Sequence, residues 1–347
     1  MTSDAIQLPD ALRIPGLQFR YFRGGDDFKH MAAITRASAE VDDTERSDTP
    51  EELEKFFAHL TNCDPYKDLI FAEVDPGDGR EPEVIGYSRG TWRVEGTGEY
   101  RYMFFGRIVP GWRRKGIGGA MLRWMEGRLQ EIAAGHPPEV EKFFLSLVAQ
   151  GETGLAAMLE KRGYGPVRYG FEMVRPDLED IPDFPLPEGF EVRPALPEHY
   201  RAIWDADTEA FRDHWGFVEP SEEDYQAWLV DETFFQPELW QVAWDVAAKQ
   251  VAGQVRTFID HEQNKLYDRR RGYTEFISVR RPYRRRGLAR ALIARSLRAQ
   301  KEAGMTESAL SVDSENLSGA TRVYEDCGFG VMKRMTVYRK PLRTRSA

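Results

Sequence analysis

Two kinds of hydrophobic pattern alternate along the 347-residue chain. Short runs of alternating apolar and polar residues predict β-strands, whereas longer stretches with an apolar residue every three or four positions predict amphipathic helices. The first half gives the order strand, two helices, three strands, helix, strand, helix, strand, and the second half repeats it. This order predicts an α/β fold in which each half forms a mixed, mostly antiparallel sheet with helices on both faces.

The predicted elements can be placed by residue number in both halves. In the first half the strands lie at 17–22, 68–74, 84–87, 99–109, 143–149 and 168–174, and the helices at 26–40, 51–60, 118–134 and 152–162. In the second half the strands lie at 190–193, 239–245, 251–259, 273–279, 308–312 and 333–339, and the helices at 198–211, 222–230, 288–303 and 318–326.

A proline-rich segment separates the two halves. Residues 176–188 contain four prolines and show no apolar periodicity, which is typical of a linker. We therefore expect an N-terminal domain at residues 1–175, a linker at 176–188 and a C-terminal domain at 189–347.

One stretch of the second half is suited to bind an anion. Residues 276–292 begin as a β-rich run, pass Pro282 and three arginines, turn at Gly287 and continue as a helix. The first N–H groups of a helix are free, its dipole is positive at that end, and a glycine lets the backbone come close to a ligand. Alone, the pattern is equally compatible with a solvated basic surface.

The same stretch occurs in the first half. Residues 108–122 follow the same order, and both copies fit the pattern R-x-x-G-x-(G/A), at 113–118 and at 284–289. Their central glycines, Gly116 and Gly287, are 171 positions apart.

Two further landmarks flank each copy. Downstream, each copy reaches a helix that ends in glycine plus an aromatic residue, at 163–164 and at 328–329, a spacing of 165. Upstream, residues 16–20 match residues 189–193 at a spacing of 173. Three landmarks in one order at nearly one offset indicate an internal duplication.

On these motifs the chain resembles, across nearly its whole length, the GNAT superfamily of acyl-CoA-dependent N-acyltransferases in tandem form. Its layout, with a degenerate first half, is similar to that of the mycothiol synthases, which acetylate the amine of a cysteinyl sugar conjugate. The resemblance implies two tandem GNAT folds, each with a splayed fourth strand. It also implies that the basic turn holds the pyrophosphate of CoA.

The resemblance implies cofactor-binding residues at both turns. In the second half these are Ile277, Val279, Arg284, Arg285, Arg286, Gly287, Leu288, Ala289 and Asn316. In the first half they are Ile108, Arg113, Arg114, Lys115, Gly116, Ile117 and Gly118. We expect the first half to retain acyl-CoA binding without turnover; the alternative is a scaffold that completes the acceptor cleft.

Three positions of the second half carry polar groups that the first half lacks. The pairs, second half first, are Tyr324 and Leu159, Asn316 and Gly151, and Glu275 and Phe104. The second half therefore has a phenol, an amide and a carboxylate at the positions where the first half has Leu, Gly and Phe. We infer that the C-terminal half is the catalytic one.

Acyl transfer to an amine needs a base for the ammonium proton and an acid for the departing thiolate. The resemblance implies that Tyr324 is the general acid, that Asn316 contacts the pantetheine arm and that Glu275 is the base, directly or through water. Each residue has a structural alternative. The ring of Tyr324 could pack in the core, Asn316 could be a helix cap, and Glu275 could be a surface carboxylate paired with an arginine of 269–271. Strand alternation places Glu275 on the same face as Ile277 and Val279.

The acceptor site is the least specified part of the sequence. In GNAT proteins the segment after the first helix overlies the acceptor, and here it contains Asp213, His214 and Trp215. An aromatic wall beside a carboxylate suits an amine. The same residues would also suit a packed loop.

Composition limits the remaining function classes. The net charge of −9 argues against nucleic-acid binding. Two cysteines suit a reducing compartment, and six scattered histidines predict no metal site. We see no signal peptide and no apolar run of the ~20 residues that a membrane span needs. We therefore expect a cytoplasmic monomer or homodimer without membrane or nucleic-acid partners.

These features predict an N-acyltransferase that moves an acetyl group from acetyl-CoA to a primary amine of a small molecule, by direct attack in a ternary complex. One alternative is a non-catalytic protein that binds or senses acyl-CoA. Another is an acetyltransferase that acts on a peptide or protein amine.

Overall fold

The computed structural model describes residues 6, 8, 13–46, 48–315 and 319–342. These residues form two compact units. The N-terminal unit comprises the described residues up to 167 together with 336–342, and the C-terminal unit comprises the described residues from 168 to 335. Each unit contains a mixed sheet flanked by helices, so the predicted α/β fold class is confirmed.

The elements before the proline-rich segment are β1 (Leu17–Tyr21), α1 (Asp26–Asp42), α2 (Pro50–Ala58), α3 (Pro65–Asp68), β2 (Leu69–Val74), β3 (Glu83–Val94), β4 (Tyr100–Ile108), α4 (Ile117–Ala134), β5 (Lys142–Ala149), α5 (Thr153–Lys161) and β6 (Gly165–Arg175). Those after it are β7 (Phe190–Arg193), α6 (Tyr200–Phe211), α7 (Glu222–Leu229), β8 (Gln241–Asp245), β9 (Gln250–Phe258), α8 (His261–Leu266), β10 (Arg271–Val279), α9 (Leu288–Glu302), β11 (Glu307–Asp313), α10 (Ala320–Asp326) and β12 (Gly330–Pro341).

The two sheets follow one plan. In the N-terminal unit the strand order is β1-β2-β3-β4-β5 followed by the end of β12, and in the C-terminal unit it is β7-β8-β9-β10-β11-β6. One neighbouring pair in each unit is parallel, β4 with β5 and β10 with β11. A helix connects the two strands of each parallel pair, α4 in the first unit and α9 in the second, as a parallel connection requires.

The apolar faces of α4 and α9 anchor these helices on their sheets. In the C-terminal unit, Leu288, Leu292 and Leu297 of α9 are buried in one cluster with Val255 of β9. Each fully buried leucine contributes roughly 1.5–3 kcal/mol to folding. The start of α9, where the basic turn lies, is therefore held in a fixed position.

The final strand of each unit comes from the other half of the sequence. Val337 and Tyr338 of β12 are buried in the N-terminal unit and pack in clusters with Phe143 and Phe144 of β5. In the C-terminal unit, β6 pairs antiparallel with β11. The duplication predicted a last strand for each half, but its sequence pattern did not indicate this exchange.

The proline-rich segment forms part of the C-terminal unit. Residues 176–189 contain neither helix nor strand. Leu178 is buried, and Phe184 and Leu186 pack against the same core cluster as α9. Arg175 donates to the carbonyls of Asp177 (2.8 Å) and Asp180 (2.9 Å). This segment is therefore anchored on the C-terminal unit by its apolar side chains and by Arg175.

Crossing a membrane would require a long, strongly apolar helix, and the helices formed by the described residues include none of that kind.

Replacing Tyr338 by alanine tests the strand exchange. The side chain is 6% exposed, and its hydroxyl donates to Glu160 at 2.9 Å. We expect Tyr338→Ala to lower the free energy of unfolding by about 3 kcal/mol and to reduce hydrogen-exchange protection first in β5. Met335→Ala, at a site 38% exposed, serves as the control with little effect. Loss of protection confined to β10 and β11 would contradict this placement of β12.

Candidate active site

The basic turn of the C-terminal unit joins β10 to α9. Arg285 and Gly287 both have positive φ, 61° and 86°, and such a turn directs successive backbone N–H groups into one anion-binding concavity. Glycine adopts this conformation without steric cost. Helix α9 begins directly afterwards at Leu288, so the positive end of its dipole points at the same place.

The first arginine of the motif supports the turn from inside. The Nε of Arg284 donates to the carbonyl of Val279 (2.9 Å), Nη2 donates to a carbonyl in the last turn of α6 (2.9 Å), and Nη1 pairs with Asp213 (2.8 Å). The sequence predicts Arg284 as a cofactor contact; in the structure three of its N–H groups are bonded to the protein. Arg285 and Arg286 are exposed and are the better placed arginines for an anion.

An open groove of about 780 Å³ lies beside the turn. Arg286, Gly287 and Arg290 contribute to one wall, and residues 184–188 of the proline-rich segment contribute to the other. Arg286 donates to the carbonyl of Glu188 at 3.2 Å. Asp326 also lines the groove and is paired with Arg290. The volume lies in the range of small-molecule sites, and the exposed Arg286 next to a helix start suits the phosphate-bearing end of CoA.

Strand β10 contains a β-bulge shortly before the turn. Its register against β9 shifts between Glu275 and Ser278, so Phe276 and Ile277 lie opposite a single residue. Phe276 has a φ of 49°, which a non-glycine residue rarely adopts. Pairing of β10 with β11 covers only residues 271–273 of β10. We call the gap between these two strands beyond that pairing the wedge; the bulge lies beside it.

Glu275 lies in the wedge and bridges it. Its Oε1 accepts the backbone N–H of Ser311 on β11 at 2.7 Å. Burial raises the pKa of Glu275 to about 7, and the nearby Glu172 carboxylate adds to the rise, while the bonds from Ser311 oppose it. A carboxylate with a pKa near neutrality is suited to be a general base.

The bulge changes the face on which Glu275 lies. Glu275 is paired with Arg256 and Ser278 with Gln254, and both β9 partners point toward α6, where they bond Asp207 and the Ile203 carbonyl. The expectation that Glu275 shares a face with Ile277 and Val279 is therefore wrong. One inserted residue reverses the alternation of side chains beyond it.

Tyr324 of α10 is 7% exposed and belongs to the core cluster that also contains Leu288. Burial raises the pKa of the Tyr324 hydroxyl, and the nearby carboxylate of Glu275 raises it further. The hydroxyl therefore stays protonated at neutral pH and can donate a proton. Core packing and an acid role are compatible at this position.

The three acceptor candidates have different environments. Asp213 is bonded to Arg281 and Arg284 and so belongs to the support of the turn. Trp215 is 38% exposed. Burial lowers the pKa of His214, whose electrostatic neighbours include the carboxylate at the end of β11. His214 and Trp215 thus remain candidates near the wedge, and Asn316 lies outside the described residues.

The N-terminal unit repeats the turn almost unchanged. Arg114 and Gly116 have φ values of 62° and 88°. Arg113 donates to the carbonyl of Ile108 (3.0 Å) and forms two bonds to Asp42, of 2.6 and 2.8 Å. Asp42 and Asp213 are 171 positions apart, like the central glycines of the two motifs. The duplication therefore preserves this support as well as the motif.

In the N-terminal unit β4 pairs with β5 only as far as Met103 and Leu145, and we call the gap beyond that pairing the N-terminal wedge; it differs from the wedge of the C-terminal unit. Strand β4 pairs with β3 in unbroken register through Phe104 and Phe105, so the counterpart of the bulge is regular strand. One oxygen of Glu152 accepts from Arg107 of β4 and the other from the N–H of Ala149 at the end of β5, both at 2.8 Å. This ion pair bridges the two strands where an acyl arm would enter.

Two residues beside the C-terminal bulge were not predicted from the sequence. Arg256 of β9 and Asp207 of α6 form an ion pair of 2.6 Å, and Arg256 is the pairing partner of Glu275. Comparison of the two halves could have singled out Asp207, because the first half has Arg36, of opposite charge, 171 positions earlier.

The raised pKa of Glu275 can be measured directly. A ¹³C NMR titration of the glutamate carboxyl groups is expected to show one group titrating near pH 7, and Glu275→Gln is expected to remove that signal. Glu172→Gln is the matched control, because removing this neighbouring negative charge should lower the pKa of Glu275 without deleting the signal. An ordinary pKa near 4.3 for Glu275 would contradict the half-buried environment of this side chain.

Comparison with known proteins agrees with this geometry. The profile of the acetyltransferase (GNAT) family matches residues 200–329. A mycothiol acetyltransferase from Kineococcus radiotolerans is 32% identical over 253 residues, which cover 71% of this chain and 74% of the relative.

Two solved structures share the fold. A GCN5-related N-acetyltransferase from Sphaerobacter thermophilus has a TM-score of 0.72 and 25% identity, over 97% of this chain and 98% of that one. A tandem GNAT protein from the clavulanic acid biosynthesis pathway has a TM-score of 0.64 and 15% identity, over 95% of this chain and 100% of that one. The chain therefore belongs to the GNAT family of acetyltransferases, in its tandem form.

Proposed function

We propose that this acetyltransferase moves an acetyl group from acetyl-CoA to the primary amine of a small molecule, by direct attack in a ternary complex in the C-terminal unit. The observation that carries the proposal is the position of Glu275, whose pKa is raised to about 7, in the wedge beside the bulge. The positions that correspond to Glu275 and Tyr324 in the first half are Phe104 and Leu159, which can exchange no proton.

The C-terminal unit contains groups suited to each part of acetyl-CoA. The turn at residues 284–289 would hold the pyrophosphate, and the groove beside Arg286 and Arg290 would hold the nucleotide end. The wedge would take the acyl arm, with Ile277 and Val279 along β10. In the N-terminal unit the turn is preserved, but the pair of Arg107 and Glu152 occupies the wedge, which supports a scaffold role rather than acyl-CoA binding there.

Acetyl-CoA, when bound, supplies an acyl thioester whose C–S bond breaks as the C–N bond to the amine forms. A free primary amine has a pKa of about 10, so it arrives as an ammonium ion and must lose a proton. Glu275 takes that proton, directly or through one water. Tyr324 donates a proton to the departing sulfur, and the N–H groups of the bulge stabilise the charge that develops on the acyl oxygen.

The surroundings of Glu275 favour a small acceptor. Its carboxylate is half-buried between two strands, so the amine must reach it through a narrow opening. Trp215 and Phe276 are 38% and 37% exposed and offer apolar surface for the remainder of the acceptor. The Kineococcus relative is named for mycothiol, which supports a small molecule over a protein amine.

The proposal predicts a specific pattern of activity loss. With acetyl-CoA and a panel of primary amines, thiol release by the wild type is expected to be amine-dependent. Glu275→Gln should lower kcat/KM roughly 100-fold or more, and Tyr324→Phe by a similar factor, because each removes a proton-transfer group. The wild-type kcat/KM should rise with pH through about 7, because Glu275 must be deprotonated.

Glu172→Gln is the control for these variants. It should keep the rate and move the acidic limb of the profile to lower pH, because it removes a negative charge near Glu275. Full activity of both Glu275→Gln and Tyr324→Phe would refute the assigned roles. Binding of acetyl-CoA without thiol release for any amine would favour the non-catalytic, acyl-CoA-sensing alternative.

A further inference from the structure

Three side chains of the C-terminal unit form a continuous contact behind the bulge. The Nη2 of Arg256 bonds Oδ2 of Asp207 at 2.6 Å. The Arg256 guanidinium also lies over the ring of Phe276, 4.2 Å from its centroid. Asp207 belongs to α6, Arg256 to β9 and Phe276 to the bulge of β10, so the contact joins a helix to two strands.

The ion pair is buried, whereas the ring that it supports is not. The side chains of Arg256 and Asp207 are 4% and 13% exposed, and Phe276 is 37% exposed. Burial of the Phe276 ring therefore does little to hold it in place. A non-glycine residue in the left-handed region is strained and persists only where its surroundings enforce that conformation. The ring of Phe276 contacts the guanidinium face of Arg256 and, edge to face, the ring of Phe234, with 6.2 Å between the two ring centroids.

The charge of Arg256 in turn depends on Asp207. A buried guanidinium is costly unless an anion compensates it. Removing the carboxylate would leave this cation uncompensated, and its guanidinium would be expected to withdraw from Phe276. Asp207 therefore supports Arg256, and Arg256 supports Phe276; Asp207 also forms a hydrogen bond with the Ser278 side chain of β10.

The N-terminal unit shows the same positions without this restraint. Arg89 corresponds to Arg256, since Gly86 and Gly253 open matching strand pairs at the same spacing of 167. Arg89 lies over Phe105 at the longer distance of 5.3 Å. Within the described part of the chain, the Arg89 guanidinium interacts with aromatic rings, Cys63 and Tyr87, and no carboxylate is among these partners.

We propose that the buried Asp207–Arg256 pair is a positioning device that holds Phe276 in its left-handed conformation and so keeps the β10 bulge open toward the acyl carbonyl. The N-terminal unit, with Arg36 at the position of Asp207, has regular strand at the position of the bulge. This proposal rests on the proposed function, because it assigns the bulge N–H groups to the acyl oxygen.

The test compares two CoA ligands that differ in the carbonyl. Acetonyl-CoA keeps the carbonyl in a stable thioether, and CoA lacks it. The wild type is expected to bind acetonyl-CoA more tightly than CoA, and Asp207→Asn and Arg256→Gln should remove this preference while the affinity for CoA stays within twofold. In turnover, kcat should fall roughly 100-fold, the loss typical of one oxyanion donor, with KM for acetyl-CoA unchanged.

A glycine at the bulge provides the rescue. Glycine adopts positive φ without strain, so Phe276→Gly in the Arg256→Gln background should restore the carbonyl preference. Arg256→Lys should retain part of it, because lysine can still pair with Asp207. If Phe276→Gly fails to restore the preference, Arg256 acts by another route and the proposal is overturned.

Two controls separate this role from general stability and from the proposed function. Arg271→Gln breaks a different ion pair, between Arg271 at the start of β10 and Glu307 at 2.7 Å, and should lower stability while keeping the carbonyl preference. Arg89→Gln should leave the preference unchanged. An unaltered preference in Arg256→Gln would overturn the positioning role alone, whereas absence of CoA binding in the wild type would refute the proposed function itself.

Discussion

The site depends on two parallel strands that stay paired for only a short distance. Strands β10 and β11 are in register from Arg271 to Tyr273 and then separate. Beyond that point the backbone groups that would have joined the strands become available to other partners. Glu275 bridges the gap by accepting the Ser311 N–H, and the bulge adds further N–H groups. The carboxylate, the bulge and the acyl arm that we propose all depend on this separation.

The duplication lets the two units be compared position by position, and this comparison is the basis of the scaffold role that we propose for the N-terminal unit. Both units keep the turn, its positive φ values and the arginine–aspartate support, which are properties of backbone and charge near a helix start. They differ in the wedge, where the N-terminal unit has Phe104 in a regular strand and the ion pair of Arg107 with Glu152. The backbone conformation of the turn is thus common to both units. Only the C-terminal unit has the proton-transfer groups that we propose.

The sequence predicted the fold, the two turns and the asymmetry between the halves, because these depend on local periodicity and on one repeated motif. It could not predict the bulge, since no residue pattern distinguishes Phe276 from an ordinary strand residue. For that reason the predicted strand face of Glu275 was wrong. The support role of Asp213 and the Asp207–Arg256 pair also depend on contacts between distant elements. The Asp213 support and the Asp207–Arg256 pair become apparent in the sequence only when the two halves are compared position by position.

A calorimetric titration of acetyl-CoA tests the central claim, that the C-terminal unit alone holds the donor. The wild type is expected to show one site. Gly287→Glu should abolish it by placing a negative, β-carbon-bearing residue at positive φ in the anion turn, and the matched variant Gly116→Glu should leave it intact. Two sites in the wild type, each lost with its own variant, would contradict the scaffold role of the N-terminal unit. No binding at all would contradict the acetyltransferase account.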